Sequence, residues 1–275
     1  MKEKVALITG GTKGIGRAIA LSLASDKYSV AVCYRKSQSE ALDTEQAIQQ
    51  HGVRGMAVQC DVSNPQEGEA FVRKVEEAWG RIDVLINCVG PYHRVNLLEE
   101  SIEGWQSMFD NNLHPVFYMS RAVAPGMQQR RWGRIINFSM ANADQTVAQP
   151  QITAHYIAKV GVLVLTRSLA RLLAPYEITV NAISPGFIDS GSAPEEELTS
   201  MVKRIPAGYI GKTQDVVSVA RFLLSEESRY VTGANIQISG GGVFRTSAHR
   251  LATDSFRHCF TTLPLPLASR FYTFL

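Results

Sequence analysis

Hydrophobic positions in this chain fall into short continuous runs that alternate with longer stretches of helical periodicity. An unbroken apolar run rich in Val and Ile is typical of a strand covered on both faces. The alternation of such runs with helical stretches predicts βαβ units around a parallel sheet. The predicted strands are Val5–Thr9, Ser29–Tyr34, Gly55–Cys60, Val84–Asn87, Arg134–Phe138, Thr179–Ile183 and Asn235–Ile238. The predicted helices are Gly14–Ser25, Ser39–His51, Pro65–Trp79, Ile102–Arg130, His155–Leu173 and Gln214–Leu224.

These elements predict an α/β fold, a doubly wound Rossmann-type parallel sheet of about seven strands with helices on both faces. Sheets of this kind bind ligands at the carboxyl ends of their strands. Because no linker-like segment interrupts the pattern, residues 1–245 are predicted to form one domain for dinucleotide binding and catalysis. Residues 246–275 show no clear periodicity, and we treat them as a tail whose structure the sequence does not predict.

Composition narrows the classes of function. The 275 residues include 28 Lys and Arg against 25 Asp and Glu, a balance too even to predict a nucleic-acid partner. The four cysteines (Cys33, Cys60, Cys88 and Cys259) lie far apart and predict reduced thiols, with neither disulfides nor a metal site. The chain shows no secretory signal and no apolar run of the roughly 20 residues that a membrane span needs, so we expect a cytoplasmic protein.

The clearest chemical motif is the glycine-rich turn between the first strand and the first helix. Glycines close this tight turn and let the backbone approach a pyrophosphate. The pyrophosphate then lies at the helix N-terminus, where free N–H groups favour an anion. Its position directly after a strand is the context that supports a dinucleotide site. The turn residues expected at the cofactor are Gly10, Thr12, Lys13, Gly14, Ile15 and Gly16.

The GxxxGxG spacing of this turn resembles the fingerprint of the short-chain dehydrogenase/reductase family, and within it the 3-oxoacyl-acyl-carrier-protein reductases. Further segments resemble family motifs in the same order, such as Asn87-Cys88-Val89-Gly90 for NNAG and Pro185-Gly186 with Ser190 for PGxxxT. The resemblance covers about residues 4–243. It implies a nicotinamide cofactor held also by Asp61, Val62, Asn87, Gly90, Lys159, Pro185, Gly186, Ile188 and Ser190.

The end of the second strand bears on which nicotinamide cofactor is bound. NAD-dependent enzymes usually place an acidic residue there to bind the ribose 2′-hydroxyl. Here the strand is followed by Arg35, Lys36 and Ser37, and Lys13 of the glycine turn faces the same region. These groups could receive a 2′-phosphate, so we expect NADPH (NADP⁺) as the cofactor.

The resemblance also implies a proton-donating Tyr, a Lys four residues later, a polarising Ser and a relay Asn. Asn112 resembles the relay Asn, and Lys159 resembles the Lys of the family's central helix. The position four residues before Lys159 is His155, and Tyr156 follows it. A shift of one residue at the helix entry would bring Tyr156 to the site; otherwise His155, with an unperturbed pKa of about 6.5, occupies it. An inactive site is the third alternative.

The Ser position is also irregular. In the segment Arg134–Met140, which resembles the RIINISS motif, the usual catalytic Ser is replaced by Met140, and Ser139 lies one residue earlier. The loop that follows is about two residues longer than is usual in the family. It could re-aim Ser139 or offer Asn142 or Asp144 in its place.

Two functions follow from these motifs. The first is an NADPH-dependent oxidoreductase that reduces a small carbonyl substrate, 3-oxoacyl thioester-like or pterin-like, either free or bound to a carrier protein. The second is a non-catalytic NADP(H)-binding protein that kept the fold and lost the Ser and Tyr chemistry. The segment from Tyr92 to Arg94 is expected to line the substrate pocket, and residues 191–206 correspond to the substrate lid of the family.

The central helix is apolar on more than one face between Ile157 and Leu173. A helix on one face of a sheet needs only one apolar stripe. The surplus predicts a homodimer or homotetramer, with cover by the tail as the alternative.

Overall fold

A computed structural model of the chain describes residues 3–191 and 195–242, with the side chains of residues 195–198 left out. The strands are β1 (Val5–Thr9), β2 (Ser29–Tyr34), β3 (Gly55–Gln59), β4 (Val84–Asn87), β5 (Gly133–Phe138), β6 (Ile178–Pro185), β7 (Ile188–Asp189), β8 (Gly211–Lys212) and β9 (Asn235–Ile238). The helices are α1 (Gly14–Ser25), α2 (Gln38–Gln49), α3 (Pro65–Trp79), α4 (Ile102–Asn112), α5 (His114–Arg130), α6 (Thr153–Leu173), α7 (Glu195–Val202) and α8 (Thr213–Leu224).

Seven of the strands form one parallel sheet in the order β3-β2-β1-β4-β5-β6-β9. The predicted doubly wound fold is confirmed. The chain moves outward from β1 to β3 and then returns to the other side of β1 with β4. Successive crossovers therefore leave in opposite directions between β1 and β4, and a crevice opens there at the carboxyl ends of the strands.

Helices cover the sheet on both faces because its strands are apolar on both. Every residue of β1 and β4 is buried. Leu7 and Leu85 belong to one core layer, with Phe71 of α3 and Met119 of α5. Residues that alternate with these leucines face a second layer formed with α1 and α8. Successive side chains of a strand point to opposite faces of the sheet, so each short apolar strand contributes residues to both core layers.

The predicted single helix Ile102–Arg130 is wrong. The chain forms two helices, and the break falls at Leu113, between α4 and α5. Pro115 is the physical reason: it has no N–H to continue the hydrogen-bond ladder of α4, but it is well suited to the first turn of a new helix. The break leaves Asn112 at the carboxyl end of α4, close to the crevice.

The other elements agree with prediction to within one or two residues at their ends, apart from the short elements α7, β7 and β8, which the sequence pattern did not predict. The predicted tail lies outside the described residues, as do residues 192–194 of the predicted lid. In the described part of the chain, every helix is too short or too polar to span a bilayer. The same residues include no group of His, Cys, Asp and Glu that could hold a metal ion.

Candidate active site

The glycine turn after β1 adopts a backbone that only glycine tolerates well. Gly10 and Gly14 have φ of +66° and +50°. A Cβ atom at Gly16 would overlap the carbonyl oxygen of Gly10, and one at Gly14 would lie 3.3 Å from the Cβ of Ser190. The turn is therefore closely packed at the N-terminus of α1, where free backbone N–H groups favour an anion. Thr12 is buried in this turn, and Ile15 is half-buried.

The segments predicted to complete the cofactor site lie beside this turn. Residues after β4 contact it directly, because the N–H groups of Cys88 and Val89 donate to the hydroxyl of Thr9 at 3.1 and 3.4 Å. Asn87 donates to the side-chain oxygen of Asn137 at 2.9 Å, which links the ends of β4 and β5. The Gly186 N–H donates to the Ile238 carbonyl at 2.8 Å and so joins the end of β6 to β9.

Gly90 lies where the catalytic candidates meet. A Cβ atom there would be 2.6 Å from Oδ1 of Asn112 and 2.8 Å from Nζ of Lys159. Asn112 is fully buried, and its Nδ2 donates to the Pro91 carbonyl at 3.1 Å. Its Oδ1 is buried with no hydrogen-bond partner. An unpaired buried acceptor next to an ammonium marks a place for a polar atom of water or ligand.

Lys159 projects from α6 towards the ends of β4 and β5. Its Nζ donates to the Phe138 carbonyl at 3.0 Å, and only 5% of the residue is exposed. Burial lowers the pKa of the Lys159 ammonium to about 8. Lys159 therefore loses its proton far closer to neutral pH than an exposed lysine does.

His155 lies one turn before Lys159 on the same helix, and its side chain is buried against the loop after β4. Its Nδ1 has no hydrogen-bond partner, and the ring of Tyr92 meets it edge-on at a centroid distance of 5.2 Å. Burial and then the charge of Lys159 lower the pKa of the imidazole to about 4, although a hydrogen bond to the Pro91 carbonyl opposes the shift. His155 is therefore neutral at pH 7.

Tyr156 points in a different direction from His155. Its hydroxyl donates to the Asn142 carbonyl at 3.0 Å and accepts from the Val147 N–H at 3.1 Å. Its ring packs with Ala143 and Leu163 in a small apolar cluster. The phenol thus joins α6 to the loop between β5 and α6, hereafter the β5–α6 loop (residues 139–152).

Ser139 and the two alternatives to it also have partners. The Ser139 hydroxyl donates to the Lys159 carbonyl at 2.8 Å. Asn142 has a φ of +65°, and its N–H donates to Oε1 of Gln237 on β9 at 3.3 Å. Asp144 accepts from Gln237 Nε2 at 3.1 Å and from Asn235 Nδ2 at 3.3 Å. The β5–α6 loop is thus tied to β9.

Two of the basic residues predicted near a 2′-phosphate are held by acids. Lys13 Nζ lies 2.6 Å from Oε1 of Glu40, and Arg35 Nη1 lies 3.6 Å from Oδ2 of Asp61. Asp61 also accepts hydrogen bonds from Ser63 at its Oδ1.

Sequence reasoning missed Glu40, and the backbone carbonyl of Pro91 that contacts both Asn112 and His155. Glu40 stands three residues after Ser37, the spacing of a helix capping box, which could have drawn attention to it. In the structure no capping box forms at α2. The Ser37 side chain does not cap this helix, and the Glu40 carboxylate pairs with Lys13.

The chain is similar to known proteins over most of its length. Residues 10–242 match the family model described as enoyl-(acyl carrier protein) reductase. The chain is 37% identical over 241 residues to the 3-oxoacyl-acyl-carrier-protein reductase of Staphylococcus aureus, covering 86% of this chain and 97% of the relative. The corresponding reductase of Vibrio cholerae is 34% identical over 250 residues, covering 88% and 98%.

A solved structure agrees with this match. The acetoin dehydrogenase of Salmonella typhimurium superposes with a TM-score of 0.81 at 28% identity, covering 89% of this chain and 98% of that one. The family model spans most of the chain, and the curated relatives are matched almost end to end. The resemblance drawn from the glycine turn is thus confirmed: the chain belongs to the short-chain dehydrogenase/reductase family.

Proposed function

We propose that this protein is an NADPH-dependent reductase that acts on the carbonyl group of a small substrate. One observation carries the proposal: two buried polar atoms without partners, Oδ1 of Asn112 and Nδ1 of His155, lie beside a pKa-lowered Lys159 in the crevice. Buried polar groups are costly to leave unpaired, and such groups cluster at functional sites. A protein that only bound a dinucleotide would have no need of them.

The residues around the crevice fit a nicotinamide dinucleotide. The glycine turn would hold the pyrophosphate, and Ser190, packed against Gly14, would face the nicotinamide half. Lys36 and Ser37 would face a 2′-phosphate at the other end, with Lys13 and Arg35 nearby. When bound, the reduced nicotinamide supplies the hydride.

For the proton we propose His155 as the group that meets the substrate oxygen. It occupies the position four residues before Lys159, and its Nδ1 is unpaired. The Tyr156 hydroxyl, by contrast, has both its donor and an acceptor engaged by the β5–α6 loop. We therefore assign the proton transfer to His155, and we assign to Tyr156 the role of holding the β5–α6 loop in place.

At neutral pH Lys159 is the protonated member of the pair and His155 is the uncharged one. A neutral imidazole carries one N–H and one bare nitrogen, so it can give a proton from one side and accept one on the other. In the proposed step the imidazole N–H, which faces the Pro91 carbonyl in the structure, gives its proton to the substrate oxygen as the carbon gains hydride, and the unpaired Nδ1 takes up a proton that the Lys159 ammonium releases. Asn112 would hold a water in line with Lys159, and Ser139 would fix the backbone of α6 through the Lys159 carbonyl.

For the substrate we propose the ketone of a 3-oxoacyl thioester, free or on a carrier protein. Support comes from the relatives at 34 and 37% identity, whose names specify 3-oxoacyl-acyl-carrier-protein as substrate. Asp144 would suit a pterin reductase, because pteridine reductases of the family carry an Asp near the Ser position, but the amides of Asn235 and Gln237 already bind the Asp144 carboxylate.

The test is NADPH oxidation with an acetoacetyl thioester, a dihydropterin and a simple diketone, followed by loss of the near-ultraviolet absorbance of the reduced cofactor. The wild type is compared with His155→Phe and Tyr156→Phe. We expect turnover of the thioester, a loss of about a hundredfold or more in His155→Phe, and a smaller loss in Tyr156→Phe.

Two results would contradict the proposal. Tight NADPH binding without turnover of any of the three substrates would favour the non-catalytic alternative, which the replacement of Tyr by His155 supports. Turnover that survives in His155→Phe and disappears in Tyr156→Phe would reverse the assignment of the proton donor.

A further inference from the structure

Lys13 of the glycine turn is engaged by a carboxylate from the neighbouring helix. Its Nζ lies 2.6 Å from Oε1 of Glu40, in the first turn of α2, and the Ser39 hydroxyl donates to the other oxygen at 3.1 Å. The hydrogen bond from Lys13 is the main reason that the pKa of Glu40 falls to about 2. Glu40 is therefore an anion at every pH at which the protein would work.

The helix that carries Glu40 is anchored to the glycine turn. The Thr44 hydroxyl contacts the Thr12 carbonyl at 3.4 Å and the Glu40 carbonyl at 2.7 Å, and Arg17 Nε donates to it at 3.2 Å. Thr44 is fully buried. Glu40 is thus held at the edge of the turn and does not reach Lys13 by chance from a distant surface.

Of the two other cations in this region, Arg35 also faces a carboxylate, and Lys36 faces none in the part of the chain that the structure describes. Arg35 Nη1 lies 3.6 Å from Asp61 Oδ2 and 3.3 Å from Asn111 Oδ1. Lys36 is exposed, and within the described residues no acidic group pairs with it. Of three cations near the end of β2, two already face a carboxylate, and a ligand phosphate would have to compete for them.

We propose that Glu40 is a specificity-determining residue that opposes the 2′-phosphate of NADPH and so brings the affinities for NADPH and NADH closer together. This inference rests on the proposed function. A 2′-phosphate must share the Lys13 ammonium with Glu40 and is repelled by the carboxylate. The 2′-hydroxyl of NADH carries no charge, and a carboxylate can accept its proton in a hydrogen bond.

The substitution Glu40→Gln tests the repulsion of the 2′-phosphate, because it keeps the size and shape of the side chain and removes its negative charge. We expect NADPH to bind about fivefold more tightly, the size typical of one partly exposed charge interaction, and NADH to bind equally or more weakly. The gain should shrink at high salt, since exposed charges are screened. Asp43→Asn is the matched control: it removes the same charge from the same helix, and Asp43 has no ion pair in the described part of the chain.

The measurement is isothermal titration calorimetry of the full chain, with no turnover required. The probes are NADPH, NADH, and the pair 2′,5′-ADP and 5′-AMP, which differ in the 2′-phosphate but lack nicotinamide. The inference predicts that Glu40→Gln tightens NADPH and 2′,5′-ADP selectively and that Asp43→Asn changes neither ratio by more than about twofold. An unchanged ratio in Glu40→Gln, or an equal gain in both variants, would overturn it.

The two proposals fail in different ways in this experiment. If the wild type bound none of the four probes, the proposed cofactor would fall and the role of Glu40 with it. If the wild type bound NADPH and Glu40→Gln left its preference unchanged, only the role of Glu40 would fall.

Discussion

At the scale of single residues, the site is governed by burial of groups that usually carry charge. Lys159 and His155 both have pKa values well below their ordinary ones, chiefly because the crevice desolvates them. The nearby positive charge of Lys159 lowers the pKa of His155 further. At neutral pH, the result is an ammonium ready to release its proton beside an uncharged imidazole.

We expect the Lys159 ammonium to set the upper pH limit of turnover. Because its pKa is about 8, we expect kcat to fall above about pH 8, where an ordinary lysine would still be protonated. The pH profile of kcat with saturating substrate measures this limit. Lys159→Arg should turn over more slowly and lose the fall near pH 8, since arginine does not titrate there. A limit that stays near pH 8 in Lys159→Arg would assign it to another group.

The His155 imidazole makes the fold sensitive to acid. Its pKa is about 4 in the folded protein and 6.5 when exposed, so the unfolded chain binds the extra proton between these values. Stability should therefore rise with pH across this window and be lost as pH falls from 6.5 to 4. The loss amounts to about 3 kcal/mol. Urea unfolding at both pH values should show that His155→Phe loses less by about this amount. Equal losses would mean that His155 is not desolvated as described.

At the scale of elements, the β5–α6 loop is important because it positions two of the candidate site residues. It carries Ser139 at one end and leads into His155 at the other. Two non-glycine residues in it, Asn142 and Thr146, have positive φ. Its backbone is fixed by Tyr156 from α6 and by Gln237 from β9.

Tyr156→Phe tests the role of this loop. The change removes a buried hydrogen bond to the Asn142 carbonyl and the acceptor for the Val147 N–H. We expect the free energy of unfolding to fall by about 1–3 kcal/mol, measured by denaturant titration. Tyr176→Phe, in the short turn that follows α6, serves as the control and should stay within about 0.5 kcal/mol of the wild type. A neutral effect of Tyr156→Phe would show that the loop does not depend on the phenol.

The same loop fixes a feature that the sequence alone does not predict, the orientation of the residues at the start of α6. The strands and the glycine turn could be predicted because local apolar runs and adjacent glycines determine them. Pro115 could have revealed the break after Asn112, but continuous helical periodicity on both sides concealed it. The choice between His155 and Tyr156 depends on how α6 is rotated about its axis, and contacts with the β5–α6 loop fix this rotation. The Lys13–Glu40 pair likewise joins separate elements, and no local pattern reports it.

At the scale of the whole molecule, large apolar side chains remain exposed on the central helices. Val164 and Leu172 of α6 are 57% and 68% exposed, and Phe117 of α5 is 45% exposed. The surplus apolar positions predicted along α6 thus lie at the surface of the single chain. Contiguous exposed apolar surface is typical of an interaction site, and the predicted homodimer or homotetramer would cover it.

The prediction at this scale concerns assembly. Val164→Glu would place a charge in the proposed interface, and we expect it to shift the protein to monomer in sedimentation at micromolar concentration. Leu98→Glu is the control, because Leu98 is 94% exposed in the loop between β4 and α4 and does not belong to α6, and it should keep the wild-type mass. If Val164→Glu sedimented as the wild type does, α6 would not be the interface.

The ties between the β5–α6 loop and β9 have a consequence for the order in which the protein is made. Asn142 and Asp144 bind Gln237, more than 90 residues later, and Asn142 also contacts the Gly242 carbonyl. During synthesis the ribosome releases β1 to β4 and the glycine turn long before these partners exist. A nascent chain can thus form the glycine turn early, whereas the β5–α6 loop gains these contacts only after β9 has been made. Ribosome stalling between these points would yield a chain that has the glycine turn and lacks the support of the β5–α6 loop.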